Sequence, residues 1–163
     1  MNHAYLLIGG NLGNTSENLR SARERISDSC GPLLQVSSIY QTAAWGKTDQ
    51  PDFLNQALQL QTTLEPEALL RALLMIEKDM GRERLERYGP RIIDIDIIFY
   101  DDRIIDTESL TLPHPQLEKR RFVLAPLAEI AGNFCHPLLN KTVNELMEIC
   151  PDTSPVDKKN GAV

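Results

Sequence analysis

The chain has 163 residues, of which 42% are hydrophobic and 25% are charged, and its formal net charge is -6. This length and composition predict one domain over residues 1–163 with a single core. The acidic balance argues against a general binder of nucleic acid or anionic membrane, because such proteins need a broad basic surface. The apolar runs are too short to cross a membrane, and we expect a cytoplasmic protein.

The first part of the chain predicts a strand, a helix and two further strands. An opening strand over His3–Ile8 ends in the turn GGNLGN, and Thr15 or Ser16 can cap a helix that ends near Gly31. A second strand is expected in LLQVSSIYQ and a third over Phe53–Thr63. The stretch between them, TAAWGKTDQPD, has no period and predicts a long loop of the kind that often acts as a lid.

The second part predicts another helix and strand, followed by a helical extension. Pro66 suits the first turn of a helix that Gly81 can end, and the run IIDIDIIFY predicts a fourth strand. The resulting order indicates an α+β fold with a ferredoxin-like βαββαβ sheet covered by helices. Short helices are expected in RRFVLAPLAEIAG and TVNELMEIC. Residues from Pro151 onward are polar and aperiodic, which predicts a frayed tail over 151–163.

Two aspartates, Asp94 and Asp96, interrupt the isoleucine-rich strand. Alternate side chains of a strand share a face, so both carboxylates point one way while the isoleucines at 93, 95 and 97 point the other. The two Cα atoms would lie about 6.6 Å apart, and two negative charges at that distance repel by about 2.5 kcal/mol at an effective dielectric of about 20. A strand has no reason to carry this cost unless a cation lies between the carboxylates.

A basic loop, GRERLERYGPR, leads into this strand and reverses the sign of the local charge. Guanidinium groups fork onto phosphate oxygens, while paired carboxylates hold Mg²⁺, which completes its shell with water and substrate phosphate. The combination predicts a magnesium-polyphosphate site. The alternatives are a solvated loop whose arginines pair with glutamates, and an acidic pair that arginines neutralise without any ligand.

Further along, His114 lies between prolines in LPHPQ, where a stiff loop can present a functional group. The basic run KRR follows, and one of its members could clamp phosphate. Phe53 and Phe122 are either core residues or stacking partners for a flat heterocycle. The sequence has no Walker A loop, no kinase catalytic loop and no nucleophile elbow, and its histidines are too scattered for a zinc site.

Five stretches in chain order make the sequence recognisable: IGGNLG, SSIYQTAAWG, QPDFLNQAL, IEKDMGRERLERYGPRIIDIDIIFY and LTLPHPQLEKRRFVLAPLAEI. From about Ala4 to about Ile130 they closely resemble the 6-hydroxymethyl-7,8-dihydropterin pyrophosphokinases of folate biosynthesis. The GPR-x-x-D-x-D core, with PH and R-x-F downstream, is the most specific part. The resemblance implies a ferredoxin-like fold and transfer of the β,γ-diphosphate of ATP to the pterin hydroxymethyl oxygen, with release of AMP.

The resemblance also implies roles for individual residues. Asp94 and Asp96 match the pair that holds two Mg²⁺ ions between the ATP phosphates and the attacking hydroxyl. The residues implied in catalysis are Arg82, Arg91, Asp94 and Asp96. The residues implied in ATP binding are Glu77, Arg84, Tyr88, Arg91, Thr111, His114 and Arg120. The residues implied in pterin binding are Thr42, Trp45, Phe53, Asn55, Asp94 and Phe122. In that arrangement the two phenylalanines stack on the faces of the pterin, and Asn55 reads its edge.

Some positions depart from the family pattern. Leu85 and Tyr88 replace a frequent lysine and a frequent tryptophan, and Ala43 and Ala44 replace prolines, which predicts a more flexible first lid. Two other classes stay open, namely a nucleotidyltransferase or cyclase and a ligand-sensing module without chemistry. The expected partners are ATP and the pterin, with neither nucleic acid nor membrane, and the expected state is a monomer.

Overall fold

The computed structural model describes residues 1–43, 50–81 and 91–159. The elements in them are β1 (Asn2–Gly10), α1 (Thr15–Ser29), β2 (Leu33–Val36), β3 (Tyr40–Thr42), β4 (Phe53–Thr62), α2 (Pro66–Asp79), β5 (Asp94–Tyr100), β6 (Ile105–Asp106), β7 (Thr111–Leu112), a short 3-10 helix (Leu117–Lys119), α3 (Arg121–Ala131), α4 (Val143–Ile149) and β8 (Asp157–Lys158). The larger sheet is antiparallel in the order β5-β1-β4-β3-β8, with β2 also beside β4. The prediction of a mixed helix and sheet protein is confirmed.

Helices cover both faces of this sheet. On one face α1 and α2 pack on residues such as Leu6, Leu58 and Ile95. On the other face α3 and α4 pack on the alternate residues, among them Leu7 and Ala57. Side chains of neighbouring residues in one strand thus belong to the hydrophobic clusters on opposite faces of the sheet, because strand side chains alternate between the two faces. Within the described ranges, none of the helices combines the length and the apolarity that crossing a membrane requires.

Helix α1 is capped by a residue other than the two predicted. The Asn14 Oδ1 atom accepts a hydrogen bond from the backbone N–H of Glu17 at 3.3 Å, and Thr15 is already the first helical residue. The prediction of Thr15 or Ser16 as the cap is therefore wrong. Asparagine is at least as good an acceptor at this position as serine or threonine, so the three consecutive polar residues did not decide between the candidates.

The single strand predicted for LLQVSSIYQ is also wrong, because two short strands occupy this stretch. At the break, the Ser37 backbone N–H donates to the Ala57 carbonyl, and the Ser37 Oγ atom accepts from the Ala57 N–H, each at 2.9 Å. Before the break Val36 pairs with Leu58, but after it Tyr40 pairs with Asn55 rather than with residue 54. A slip of one residue exchanges the faces of a strand, so Tyr40 shares a face with Asn55.

The prediction of a frayed tail is wrong for its described part. Strand β8 pairs with β3, and the Lys159 backbone N–H donates to the Ile39 carbonyl at 2.8 Å. The pairing uses backbone groups, so it leaves no apolar pattern in the sequence. Residues 160–163 lie outside the described residues.

His136 makes the stability of the fold dependent on pH. Its side chain is 3% exposed, and its Nδ1 atom accepts the backbone N–H groups of Leu138 and Leu139, both at 3.1 Å. Burial lowers the pKa of His136, against a smaller opposing effect of the Glu118 charge. As the pH falls, the imidazole of His136 is therefore protonated more readily in the unfolded chain than in the folded protein. The contribution of His136 to the free energy of unfolding should be complete above about pH 6.5 and should decrease as the pH drops below that value.

Urea unfolding at about pH 7.5 and about pH 5.5 tests this expectation. The His136→Asn variant offers an amide oxygen near the position of Nδ1 and does not titrate. We expect it to lose less stability between the two pH values than the unaltered chain does. Equal losses in the two proteins would contradict the assignment.

Candidate active site

A row of residues crosses the sheet at one level and defines the candidate site. Gly9 of β1 pairs with Asp94 of β5 on one side and with Asn55 of β4 on the other, and Asn55 pairs in turn with Tyr40 of β3. Directly opposed residues of antiparallel strands share a face, so these side chains point the same way. The face is the one that α3 partly covers, since it also carries Leu7.

Five residues implied by the family resemblance lie on this face. Thr42 and Phe53 oppose each other at the ends of β3 and β4, one step beyond the pair Tyr40 and Asn55. Asp94 begins β5, and Asp96 is the next residue of that strand on the same face, opposite Leu7 of β1. The residues that the structure brings together here are Thr42, Phe53, Asn55, Asp94 and Asp96.

Gly9 leaves room for the amide of Asn55 between the strands. A Cβ atom on Gly9 would lie 2.2 Å from the Asn55 Oδ1 atom and 3.0 Å from the Leu54 carbonyl oxygen. Real Cβ contacts are never so short as the first of these distances. The glycine therefore allows the amide of Asn55 to lie over β1, on the side of Asp94.

The acidic pair has the arrangement that the strand alternation predicts. Ile93, Ile95 and Ile97 are at most 5% exposed and belong to the core beneath α1 and α2. Asp94 and Asp96 are partly exposed on the other face. Both carboxylates are thus held by a well-buried strand at the rim of the α3 side.

Nearby carboxylates outweigh the arginines around Asp96. The pKa of Asp96 is raised to about 7, first by burial and then by the charges of Asp94 and Glu77, which outweigh the opposing charges of Arg91 and Arg120. One of these arginines is in direct contact with the pair, because the Arg91 Nη1 atom lies 2.9 Å from the Asp94 Oδ2 atom. An added cation at this position would favour the ionised form of Asp96.

Glu77 approaches the same strand from α2. Its side chain is buried, and its Oε2 atom accepts the backbone N–H of Ile95 at 2.6 Å. The sequence implied only that Glu77 lies in a nucleotide pocket. The structure places it against β5, the terminal strand of the sheet, where it satisfies a backbone donor and adds negative charge near Asp96.

His114 is held neutral beside β5. Its backbone N–H donates to the Ile98 carbonyl at 3.0 Å, and its Nδ1 atom accepts the Gln116 N–H at 3.2 Å. The pKa of His114 is lowered to about 4, first by burial and then by the charge of Arg120, against the opposing charge of Asp94. Because Nδ1 is an acceptor, the proton of the neutral ring is on Nε2, which can donate to a ligand.

An arginine accompanies each of the two predicted stacking rings. The guanidinium carbon of Arg91 lies 6.0 Å from the ring centre of Phe53, and that of Arg120 lies 5.9 Å from the ring centre of Phe122. Phe122 is partly buried and packs on the cluster under α3. Thr111, the remaining described candidate, is exposed in β7 and pairs with Asp106.

Sequence reasoning missed Asn11, which connects the site to two loops. Its Nδ2 atom donates to the Gln50 Oε1 atom at 2.8 Å and to the Pro51 carbonyl at 2.9 Å. Its Oδ1 atom accepts the Arg91 N–H at 3.0 Å, and its own N–H donates to the Arg91 carbonyl at 2.9 Å. The turn GGNLGN, with an asparagine after two glycines, is the signal that could have identified it.

Four of the predicted site residues lie outside the described residues. They are Trp45, Arg82, Arg84 and Tyr88. Among residues 1–43, 50–81 and 91–159, no group of three or more His, Cys, Asp or Glu side chains could hold a metal ion. A metal bound by Asp94 and Asp96 would therefore depend on other donors for the rest of its shell.

Comparison with known proteins identifies the family. The profile of the family described as 7,8-dihydro-6-hydroxymethylpterin-pyrophosphokinase (HPPK) matches residues 5–132. A Synechocystis protein named 2-amino-4-hydroxy-6-hydroxymethyldihydropteridine pyrophosphokinase is 44% identical over 146 residues, which cover 89% of this chain and 74% of that protein. An Aquifex aeolicus protein of the same name is 40% identical over 141 residues, covering 86% of this chain and 88% of that protein.

Longer proteins match over part of their length. The folic acid synthesis protein fol1 of Pneumocystis carinii is 40% identical over 154 residues, or 93% of this chain, but the chain spans only 21% of it. The crystal structure of Plasmodium falciparum HPPK-DHPS with pterin and p-hydroxybenzoate superposes on 90% of this chain and 42% of its own, with a TM-score of 0.74 and 18% identity. At that identity the superposition shows the fold alone.

The sequence matches and the fold define an enzyme of the pyrophosphokinase class that acts in folate synthesis. The chain belongs to the 7,8-dihydro-6-hydroxymethylpterin-pyrophosphokinase family. Its reaction is the transfer of a pyrophosphoryl group to hydroxymethyldihydropterin, with ATP as the co-substrate. The family predicted from the sequence is confirmed.

Proposed function

We propose that the sheet face carrying Thr42, Phe53, Asn55, Asp94 and Asp96 is the active site and binds the pterin and ATP side by side. The observation that carries this proposal is the row Asp94, Gly9 and Asn55, in which a carboxylate and an edge-reading amide share one face on either side of a glycine. Strands β5 and β4 are two strand spacings apart, or about 10 Å. That distance suits a substrate bound between the two side chains.

We also propose the ferredoxin-like topology for this sheet. In chain order β1, α1, the β2 and β3 pair, β4, α2 and β5 follow the pattern βαββαβ. The spatial order, in which β1 and β4 lie between β5 on one side and β2 and β3 on the other, supports the assignment.

Three further expectations stay predictions. They are a single domain over residues 1–163, a monomeric state and a cytoplasmic location.

Asp94 and Asp96 would hold two Mg²⁺ ions. Their oxygens are ligands of the kind that Mg²⁺ prefers. Burial and then the charges of Asp94 and Glu77 raise the pKa of Asp96, and a bound cation would oppose that shift. Bound Mg²⁺ would neutralise the phosphate charge that develops during transfer. A pair of carboxylates also leaves coordination positions for water and substrate phosphate, as is usual for this ion.

The pterin side would be formed by Thr42, Asn55, Phe53 and Phe122. A flat polar bicycle needs aromatic faces for contact area and an amide that can both donate and accept at its edge. Asn55 supplies the amide, and β4 and α3 supply the two rings. Trp45 would complete this side, as the resemblance implies.

The ATP side would be formed by Arg91, Arg120 and His114, with Glu77 and Thr111 further out. Arg91 lies against Asp94, where a guanidinium can contact phosphate while the carboxylate contacts metal. Neutral His114 can donate from Nε2 to a phosphate oxygen without adding charge. The resemblance adds Arg82, Arg84 and Tyr88 to this group, with Arg82 and Arg91 in catalytic roles.

In this arrangement the pterin hydroxyl attacks the β-phosphorus of ATP in line with the departing AMP. Such a transfer requires positioning and neutralisation of charge rather than covalent participation by the protein. The residues of the two sides would hold the reacting atoms in place. The expected lid role of the stretches 42–52 and 82–90 stays a prediction, because residues 44–49 and 82–90 lie outside the described residues.

Product analysis tests the proposed reaction. The protein is incubated with ATP, Mg²⁺ and 6-hydroxymethyl-7,8-dihydropterin, and the nucleotide and pterin products are separated. We expect AMP and the pterin diphosphate in equal amounts, and neither product when Mg²⁺ is removed with a chelator. Release of pyrophosphate from ATP would instead support a nucleotidyltransferase or cyclase, and Mg²⁺-independent turnover would contradict the metal assignment.

A further inference from the structure

The C-terminal strand β8 flanks the part of the sheet that carries Thr42. Tyr40 and Gln41 of β3 pair with Lys158 and Asp157 of β8. Strand β3 has only three residues, and its other neighbour is β4, which carries Phe53 and Asn55. A strand this short has few backbone bonds of its own to fix its position, so its flanking contacts matter.

One carboxylate, that of Glu129, joins three elements at this point. Its Oε2 atom accepts the backbone N–H of Ser38 at 2.9 Å and the Ser38 hydroxyl at 3.3 Å. Its Oε1 atom accepts the Tyr40 hydroxyl at 2.7 Å and lies 3.7 Å from the Lys158 Nζ atom. Glu129 belongs to α3, so the helix is tied to the segment before β3, to β3 itself and to β8.

The contacts of Glu129 are those of an ionised group. Burial alone would raise its pKa, but the hydrogen bonds from Tyr40 and Ser38 and the charge of Lys158 lower the pKa below its usual value. The pKa of the Tyr40 hydroxyl, by contrast, is raised, because the group is partly buried and donates to this carboxylate. Glu129 therefore accepts from all of these donors at neutral pH.

The tail that leads to β8 also contacts the other end of α3. The Asp152 Oδ2 atom accepts the backbone N–H of Arg121, the first residue of the helix, at 3.1 Å. Arg120, the residue before the helix, has no side-chain capping bond of its own to the first turn. The segment from Asp152 to Lys159 thus contacts the start of α3, next to Phe122, and also pairs with β3.

We propose that Glu129 is a positioning residue for the pterin site, which it serves by fixing β3 relative to α3. The proposal rests on the proposed function, since it assumes that Thr42 of β3 and Phe122 of α3 contact the pterin. Glu129 itself does not share the row with Asp94, and it touches neither Arg91 nor Asp96 in any contact described above. Its loss should therefore impair binding of the pterin more than binding of ATP.

Steady-state kinetics of the Glu129→Ala variant tests this inference. We expect the KM for the pterin to rise by about tenfold, since several hydrogen bonds that fix β3 are lost, while the KM for ATP and kcat stay within about twofold. The Glu129→Gln variant should recover most of this loss, because its amide can accept from Ser38 and donate to the Tyr40 oxygen. The Tyr40→Phe variant removes one of the bonds and should show an effect of about threefold.

The matched control is Glu145→Ala. Glu145 is a helix carboxylate that forms a capping box with Thr142 at the start of α4. Its loss should lower the melting temperature without changing the KM for the pterin. An unchanged pterin KM in Glu129→Ala, or an equal rise in the control, would overturn the inference. Turnover by the wild-type protein tests the proposed function separately. The positioning role of Glu129 is tested only by the ratio of the pterin KM of the variant to that of the wild type.

If Glu129→Ala does not fold, Tyr40→Phe decides the matter by itself. A rise in its pterin KM, without a change in its ATP KM, supports the positioning role. Binding of 6-hydroxymethylpterin, followed by its fluorescence, gives a second readout that needs no turnover. Equal affinity of wild type and Tyr40→Phe for this probe would contradict the role.

Discussion

The Asp96→Ala variant is expected to fold and to lose at least about a hundredfold in kcat. The expected loss follows from the position of Asp96, whose carboxylate shares a face with Asp94 and, in the proposed site, holds magnesium beside the transferred phosphates. Removing one group that stabilises developing charge has effects of this size in other enzymes. The measurement is steady-state turnover at saturating ATP, pterin and Mg²⁺.

The fold itself should tolerate this substitution. Burial raises the pKa of Asp96, which means that its ionised form is a cost to the folded state at neutral pH. The melting temperature of Asp96→Ala should therefore be equal to or above that of the unaltered chain. Asp102→Ala, which removes an exposed carboxylate just after β5, is the matched control and should keep normal turnover. Near-normal kcat in Asp96→Ala would contradict the metal assignment.

The Gly9→Ala variant is expected to raise the KM for the pterin by at least about tenfold and to leave the KM for ATP within about threefold. A Cβ atom on Gly9 would lie 2.2 Å from the Asn55 Oδ1 atom, so the amide has to leave its position over β1. The Leu54 carbonyl at 3.0 Å is backbone and can move little, so we also expect a loss of about 1–3 kcal/mol in the free energy of unfolding. Kinetics in each substrate and urea unfolding measure the two effects.

A double-mutant cycle distinguishes a specific effect on Asn55 from general damage. Asn55→Ala alone should raise the KM for the pterin to a similar extent. If Gly9 acts by making room for the amide, the double variant should be no worse than Asn55→Ala, because the group that the methyl displaces is already gone. Multiplication of the two single effects in the double variant would refute this explanation.

The sequence was sufficient wherever a pattern of side chains determines the structure. The alternation around Asp94 and Asp96 predicted which side chains enter the core, and Ile93, Ile95 and Ile97 are buried there. The long helix α2 and strand β4 followed in the same way from apolar spacing. These elements are stabilised by burial of apolar side chains, so the spacing of apolar residues in the sequence is enough to predict them.

Elements held by backbone or by distant polar contacts were not predictable. The break at Ser37 depends on a hydroxyl that bonds to Ala57, and β8 is held by its backbone pairing with β3. In the site, Asn11 and Glu129 contact Arg91 and Ser38, which are 80 and 91 positions away in the chain. Such partners have no fixed spacing, and a sequence without its fold gives no reason to pair them.

In the proposed site, Asp94 and Asp96 together bind the metal that accompanies ATP. The most direct measurement is anomalous diffraction from a crystal of the protein grown with Mn²⁺, an unreactive ATP analogue and 6-hydroxymethylpterin. We predict anomalous peaks within about 2.2 Å of carboxylate oxygens of both Asp94 and Asp96, with the analogue's phosphates bound to the same ions. Peaks located elsewhere, with the two carboxylates in contact with arginine alone, would contradict the assignment of Asp94 and Asp96 as metal ligands.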